Sequence, residues 1–339
     1  MRRRWTFKAR IISGFRRLSS SRGAATGLGV AWMLVVLTGG TGGAKLIQGL
    51  SLEVNAEELV IVCNTADDFA MHGLHISPDL DTITYALAGL SDTTRGWGIG
   101  DDTFVVLEWL EKYGGEGWFK LGDRDLALHI TRSRLLREGV ALSEVTDRIR
   151  KALGIKAAII PMSDDRIETR VLTPEGEISF QEYFVKRRWT DEVLGISYAG
   201  VEQSQAAPGV LDAIRQAAAV IVCPSNPVTS VGTILAVPGI KKALEETRAP
   251  VVAVSPIIQG AAVNGPAHRL MAAVGYETTA FGVAKAYVDF LDIMMVASED
   301  RDLQESIEGL GVKTVVSSIR MDSLADKRRV AREVLASVR

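Results

Sequence analysis

Short, continuous apolar runs rich in β-branched residues are the feature that most limits how this chain can fold. Each run is followed by turn residues and then by a helical pattern. Runs that do not alternate with polar residues are typical of strands covered on both faces, as in parallel sheets between two layers of helices. They predict an α/β fold with a doubly wound, Rossmann-like, mostly parallel sheet. The runs occupy 34–38, 59–65, 219–227, 251–256, 293–298 and 314–318.

The segment between the second and third runs has a different pattern. Residues 97–155 have helical spacing, with Ser143 as the expected N-cap of one helix, and 157–200 have the pattern of antiparallel strands joined by a turn at 174–177. We interpret 97–200 as a helical and β-hairpin insertion that forms a lid or wall of the site. The core is then 33–96 together with 201–339. Helices are predicted at 80–90, 105–113, 208–218, 238–247, 282–291 and 323–338, the last lying on the core.

Charge is distributed unevenly along the chain. Residues 1–32 hold eight Arg or Lys and no acid, so the remainder carries −10 although the whole chain carries −2. The uncharged run 23–43 is long enough for a membrane anchor, but its second half has the pattern of a strand and a glycine loop. We therefore predict that 1–32 are a disordered or spurious extension, with Met33 as the start, and that the protein binds no membrane. The slightly acidic total charge predicts no nucleic-acid partner.

The two cysteines indicate the compartment. Cys63 and Cys223 each close an apolar run, a position typical of a buried free thiol. Because no disulfide framework is implied, we expect a reducing, cytoplasmic location.

The first apolar run leads directly into a glycine-rich loop. Glycines let backbone N–H groups approach a phosphate closely, and the following helix adds its dipole. The loop is neither a Walker A motif, because no Ser or Thr follows Lys45, nor a dinucleotide fingerprint, because Lys45 stands where the third glycine belongs. A structural turn without a ligand stays open as the alternative. The predicted phosphate-binding residues are Gly39, Gly40, Thr41, Gly42, Gly43 and Lys45, with Ser225 and Asn226 after the third run.

Acidic residues cluster after the predicted strands. Mg²⁺ takes oxygen ligands and is usually held by one or two carboxylates and substrate phosphates. Each acid alone is equally typical of a helix cap or a solvated turn, but several clusters in one half of the chain favour a metal site. The four histidines lack zinc-site spacing, and no nucleophile elbow is present. The acidic clusters are Asp67-Asp68, Asp79 with Asp81, Asp101-Asp102 and Asp123 with Asp125.

Nine motifs in matching order make the chain resemble a known family from Met33 to its C-terminus. The family is the CofD-type 2-phospho-L-lactate transferases of coenzyme F-420 biosynthesis. The motifs are GGTGGAKL (39–46), NTADDF (64–69), GLHISPDLDT (73–82), GWGIGDDTF (96–104), KLGDRDLALHI (120–130), IIPMSDDRIET (159–169), FQEYFVKRR (180–188), PSNPVTS (224–230) and SPIIQGAAVNGPA (255–267).

The resemblance implies a reaction that the residues alone do not reveal. It implies a Mg²⁺-dependent enzyme that moves a 2-phospholactyl or phosphoenolpyruvyl group from a guanosine diphosphate-linked donor to the ribityl hydroxyl of the deazaflavin Fo. The products are coenzyme F-420-0, or its dehydro form, and GMP. The resemblance places Asp81 and Lys120 at the Fo pocket and the glycine loop with Ser225 and Asn226 at the donor diphosphate. We expect Asp68 and Asp81 to hold the metal or position the attacking hydroxyl, and the protein to act as a homodimer.

One alternative comes from a different functional class. A sister family, the gluconeogenesis-factor proteins, shares the glycine loop but consists of sugar-nucleotide-binding regulators without enzymatic activity. Its second loop reads Asp-Asp-Gly-Gly-Ser, whereas Asp67-Asp68 is followed here by Phe69-Ala70. The PDLDT and LGDRD segments also favour the transferase.

Overall fold

The computed structural model describes residues 32–339 except 93 and 264. The chain divides into two units, Met1–Ala31 and Trp32–Arg339. Apart from Trp32, the predicted extension 1–32 lies outside the described residues. The strands are β1 (Leu34–Thr38), β2 (Leu59–Cys63), β3 (Phe69–Met71), β4 (Leu74–Ile76), β5 (Ala158–Pro161), β6 (Glu168–Thr173), β7 (Gly176–Ser179), β8 (Gly195–Ala199), β9 (Ala219–Val222), β10 (Val251–Val254), β11 (Ile257–Ile258), β12 (Ala261–Ala262), β13 (Ile293–Ala297) and β14 (Lys313–Ser317).

Helices connect these strands. They are α1 (Gly40–Ser51), α2 (Pro78–Ala88), α3 (Val105–Lys112), α4 (Asp123–Arg137), α5 (Leu142–Ala152), α6 (Val210–Gln216), α7 (Val231–Ala236), α8 (Ile240–Glu246), α9 (Ala267–Ala273), α10 (Ala280–Ala286), α11 (Gln304–Gly309) and α12 (Leu324–Ser337). One turn of π-helix covers Glu182–Lys186.

A seven-stranded parallel sheet forms the centre of the described chain. Its order is β14-β13-β10-β9-β1-β2-β5, so the chain winds outward from β1 in both directions. Residues alternate along each strand between two buried clusters, one on each face: Val35 and Leu37 belong to one, Leu34 and Val36 to the other. This arrangement confirms the predicted fold class. It also explains the unbroken apolar runs, because both faces of every central strand are covered.

The predicted antiparallel segment is wrong at its start. Residues 158–161 form β5, which pairs parallel with β2 as the edge of the central sheet. A short apolar run fits a parallel edge strand as well as an antiparallel one, because the run itself does not specify its partner. The predicted hairpin is confirmed, since β6 pairs antiparallel with β7. The division into a core and an insertion at 97–200 stays a prediction.

Two local expectations also differ from the structure. Ala141, not Ser143, is the N-cap of α5; the backbone N–H and hydroxyl of Ser143 instead donate to the carboxylate of Asp164 at 2.7 and 2.8 Å. The strand expected through 180–185 ends at Ser179, and the π-helical turn follows it.

The terminal helix α12 lies on the core, as predicted. Val330, Ala331 and Val334 belong to the buried cluster on the α1 face. Ser323 caps α12, with its hydroxyl accepting from the N–H of Asp326. Cys63 and Cys223 are buried and free, as predicted. Every helix in the described ranges is too short or too polar to span a bilayer.

Candidate active site

A cavity of about 760 Å³ opens at the carboxyl edge of the central sheet. This edge is where parallel α/β sheets bind their ligands, because the loops after the strands diverge there. The glycine loop after β1, Pro224 to Asn226 after β9 and Ser255-Pro256 after β10 line one side. Asp81 of α2, Lys120 before α4 and Phe184 of the π-helical turn line other parts of the wall, together with 95–98, 265–267 and 319–322.

The glycine loop packs tightly against the loop after β9. The hydroxyl of Ser225 donates to the carbonyl of Gly39 at 2.7 Å and accepts from its N–H at 3.2 Å. A Cβ on Gly42 would lie 2.4 Å from the carbonyl oxygen of Pro224, so only glycine fits there. Gly43 is buried beneath the loop, where a Cβ would overlap the Thr38 hydroxyl, and it does not line the cavity. The other predicted phosphate-loop residues do, together with Ser225 and Asn226.

Asp79 caps α1 rather than its own helix. Its Oδ1 accepts from the N–H of Gly40, the first residue of α1, at 2.7 Å. Its Oδ2 accepts from the side-chain amide of Asn64 at 2.9 Å, and the same amide donates to Asp67 at 3.1 Å. These contacts tie the ends of β1 and β2 to the start of α2.

The acids beneath the loop are buried close together, and this shifts their titration. Burial raises the pKa of Asp79 to about 6, against the opposing effect of its bonds to Asn64 and Gly40. Burial and the Asp79 charge raise the pKa of Asp67 well above its usual range. Perturbed carboxyl groups facing a cavity are typical of functional sites.

Asp81 lies deeper, in an ion pair with Arg132 of α4. Both Nη atoms of the guanidinium donate to the carboxylate, one to each oxygen, and the two side chains are 3% and 7% exposed. His129 Nδ1 lies 3.6 Å from Asp81 and 3.3 Å from Arg132. Burial lowers the pKa of His129 to about 4, so its neutral ring accepts from the guanidinium.

Asp68 is placed differently from Asp81. Its Oδ2 accepts from Ser77 at 2.7 Å and contacts His75 Nε2 at 2.9 Å, and its carboxylate does not line the cavity. Burial raises its pKa, and the bonds to His75 and Ser77 oppose that rise. Lys120 does line the cavity, half exposed, with Nζ 3.7 Å from Glu111. The structure thus brings Asp81 and Lys120 to the cavity and leaves Asp68 behind its wall.

Comparison with known proteins identifies the family. A sequence model described as "2-phospho-L-lactate transferase CofD" matches residues 34–335. The chain belongs to the CofD family of 2-phospho-L-lactate transferases. This confirms the resemblance carried by the nine motifs and the prediction of an enzyme.

Individual relatives cover nearly the same length. A phosphoenolpyruvate transferase of Streptomyces griseus is 44% identical over 308 residues, which are 89% of this chain and 97% of the relative. A 2-phospho-L-lactate transferase of Methanosarcina mazei is 40% identical over 302 residues, covering 89% and 99% of the two chains. A crystal structure of a UPF0052 family member from Bacillus halodurans has a TM-score of 0.62 at 18% identity, over 89% of this chain and 98% of that one. That likeness shows the shared fold.

The described acids of this CofD family chain do not converge on a preformed metal site. Among the described residues, no group of three His, Cys, Asp or Glu side chains is arranged to hold a metal ion. Asp68 Oδ1 is buried and has no hydrogen-bond partner in the described part of the chain, so it fits the role of one oxygen ligand. The predicted metal roles of Asp68 and Asp81 stay predictions.

Sequence reasoning placed Asp79 in an acidic cluster but missed Asn64 as a site residue of this CofD family chain. A helix cap was the alternative left open for each acid, and Asp79 does cap a helix, but that helix is α1, which begins 39 residues earlier. The available signal was Asn64 at the end of β2, because polar residues at strand ends of a parallel sheet face the ligand edge. Arg132 gave no signal, since arginines on a helix such as α4 are usually solvated.

Proposed function

We propose that this protein transfers a 2-phospholactyl or phosphoenolpyruvyl group from a guanosine diphosphate-linked donor to the ribityl hydroxyl of Fo, with Mg²⁺ as cofactor. In this step the hydroxyl oxygen bonds to the phosphorus that carries the three-carbon acid. The bridging bond between the two phosphates breaks, GMP leaves and the hydroxyl proton is released. The observation that carries the proposal is one cavity lined by both the phosphate loop and the Asp81–Lys120 region.

The phosphate loop suits the donor. The N-terminus of the 12-residue helix α1 faces the cavity through Gly40, and Lys45 lines the same wall. Backbone N–H groups and the helix dipole favour phosphate at this position, and the lysine adds a full positive charge. The Gly40 N–H donates to the Asp79 carboxylate in this structure. Because a diphosphate would compete for the same donor, we expect the Asp79 carboxylate to be protonated or displaced when the diphosphate binds.

The acceptor end depends on Asp81 and Lys120. The bidentate contact with Arg132 fixes the Asp81 carboxylate in one orientation at the cavity wall. Lys120 supplies a mobile positive charge on that side. Phosphoryl transfer needs positioning and charge neutralisation rather than a protein nucleophile, and these groups provide both.

Mg²⁺ would neutralise the developing charge on the phosphates when bound. Because the described residues offer no three-group cluster, we propose that the protein contributes one carboxylate, Asp68 or Asp81, and that donor phosphates and water supply the other oxygens. Asp81 already lines the cavity, whereas the Asp68 side chain would have to turn toward it.

The decisive experiment mixes the purified protein with Mg²⁺, Fo and each of two donors, lactyl and enolpyruvyl guanosine diphosphate. We expect GMP release and a more anionic product that keeps the deazaflavin absorbance. Both donors are needed, because phosphoenolpyruvate transferases at 40–44% identity and 2-phospho-L-lactate transferases at 39–41% identity are similarly related to this chain. No GMP from either donor, together with tight UDP-sugar binding, would establish the regulator alternative instead.

The cytoplasmic location and the homodimer remain part of this proposal. Cell fractionation and sedimentation velocity are the measurements that check them.

A further inference from the structure

Three aromatic rings form a continuous stack on the cavity wall. Phe180 and Phe184 have ring centroids 5.5 Å apart at an interplanar angle of 4°, and Phe184 and Trp189 are 5.3 Å apart at 20°. These are offset-stacked geometries. All three residues line the cavity, and Phe180 is buried whereas Trp189 is 38% exposed. Trp189 is therefore the open end of the stack.

The backbone that carries Trp189 is held in an unfavourable conformation. Arg188 and Trp189 have φ of 51° and 47°, in the left-handed region that bulky side chains rarely adopt. Two hydrogen bonds fix it there: the Trp189 N–H donates to the Tyr183 carbonyl at 2.8 Å, and Arg269 donates to the Trp189 carbonyl at 2.7 Å. Full burial of the side chain does not account for this strain, because Trp189 keeps 38% of its surface exposed. Strain of this kind concentrates at ligand-binding sites.

We propose that the stack of Phe180, Phe184 and Trp189 is a platform on which the planar heteroaromatic ring of a substrate lies. The inference rests on the proposed function for its ligands, which offer two such rings: the guanine of the donor and the deazaflavin of the acceptor. Trp189 is the residue that the ring contacts, and Phe184 backs it. The stack contains no residue of the phosphate loop and neither of the proposed metal ligands, Asp68 and Asp81.

The test measures binding of Fo alone and of GDP alone by calorimetry, without turnover. Trp189→Phe keeps a ring and is expected to bind as the wild type does. Trp189→Ala and Trp189→Gly remove the ring. Each is expected to weaken the binding of Fo or of GDP at least about fivefold, as found when a base loses an aromatic stacking partner. Trp109→Ala on α3 is the control, because Trp109 is also exposed, at 49% against 38% for Trp189, and does not line the cavity.

Trp189→Gly also separates a structural role from a binding role. Glycine adopts a positive φ without strain, so this variant is expected to unfold at a higher temperature than Trp189→Ala while binding equally weakly. Weaker binding of Fo alone would show that the platform holds the acceptor ring. Weaker binding of GDP alone would show that it holds the guanine of the donor. Equal affinities of the wild type and both ring-free variants for both ligands, or no binding of either ring by the wild type, would overturn the inference.

These outcomes are distinct from those of the proposed function. If Trp189→Ala leaves turnover unchanged at subsaturating concentrations of either substrate, the proposed platform is wrong but the proposed transferase activity stands. If Fo or GDP binding depends on Trp189 but no GMP is released, the proposed platform stands and the proposed transferase activity is wrong.

Discussion

The side chains of Asp81 and Arg132 neutralise each other where water barely reaches either of them. They are 51 residues apart in the sequence and almost fully buried. Removing one partner of a buried ion pair is costly, because the remaining charge is left in a poorly polar environment. The same carboxylate is a candidate catalytic group, so its structural and catalytic roles must be separated.

Asp81→Ala is expected to lower the free energy of unfolding by about 3–5 kcal/mol and to abolish turnover, because it leaves the guanidinium of Arg132 unpaired. The double variant Asp81→Asn/Arg132→Met removes both charges, and we expect it to recover part of the stability but none of the turnover. Denaturant unfolding and GMP release measure the two properties. Restored turnover in the double variant would show that the Asp81 charge takes no part in the reaction.

At the scale of elements, α1 and α12 pack closely at Gly49. A Cβ added to Gly49 would lie 2.1 Å from the carbonyl oxygen of Lys327 and 3.1 Å from the Cβ of Ala331. The contact places the N-terminus of α1, and with it the phosphate loop, at a fixed position on the sheet.

Gly49→Ala is expected to lower the free energy of unfolding by about 1–3 kcal/mol, because a backbone carbonyl must move to admit the methyl group. Gly309→Ala in α11 is the matched control, since a Cβ there meets nothing within 4 Å. That change is expected to be neutral or to stabilise by up to about 1 kcal/mol through its helix propensity. Equal denaturation midpoints for the two variants would show that α12 shifts freely on α1.

Sequence patterns predicted these elements well wherever the signal was local. Six apolar runs gave six of the seven central strands, because a strand buried on both faces must be apolar throughout. β5 was assigned to the wrong sheet, since only the crossover through α2 to α5 brings it beside β2. The glycine loop was found from its spacing. The pairs Asp79–Gly40 and Asp81–Arg132 were not, because each joins helices whose packing no local pattern encodes.

Considered as a whole, the molecule concentrates buried ionisable groups at one edge of its sheet. Burial raises the pKa of both Asp79 and Asp125 to about 6, and it lowers the pKa of His129 to about 4. The two kinds of shift act in opposite directions on stability. A carboxyl whose pKa is raised by folding stabilises the protein below its unfolded pKa of about 4, and that stabilisation is lost as the pH rises through 6. An imidazole whose pKa is lowered destabilises the protein below its unfolded pKa of about 6.5.

Asp125 allows one of these contributions to be isolated. Its Oδ1 accepts from the hydroxyl of Tyr85 at 2.5 Å, a bond that opposes the effect of burial on its pKa. Asp125→Asn removes this titrating group. We therefore expect the free energy of unfolding of the variant to fall less steeply between pH 4 and 6 than that of the wild type. The two slopes are expected to differ by up to about 1.4 kcal/mol per pH unit. Tyr85→Phe removes the opposing bond and is expected to move the wild-type decline to higher pH. Denaturant titrations at half-unit pH intervals measure both slopes; parallel curves for Asp125→Asn and the wild type would show that folding does not raise the pKa of Asp125.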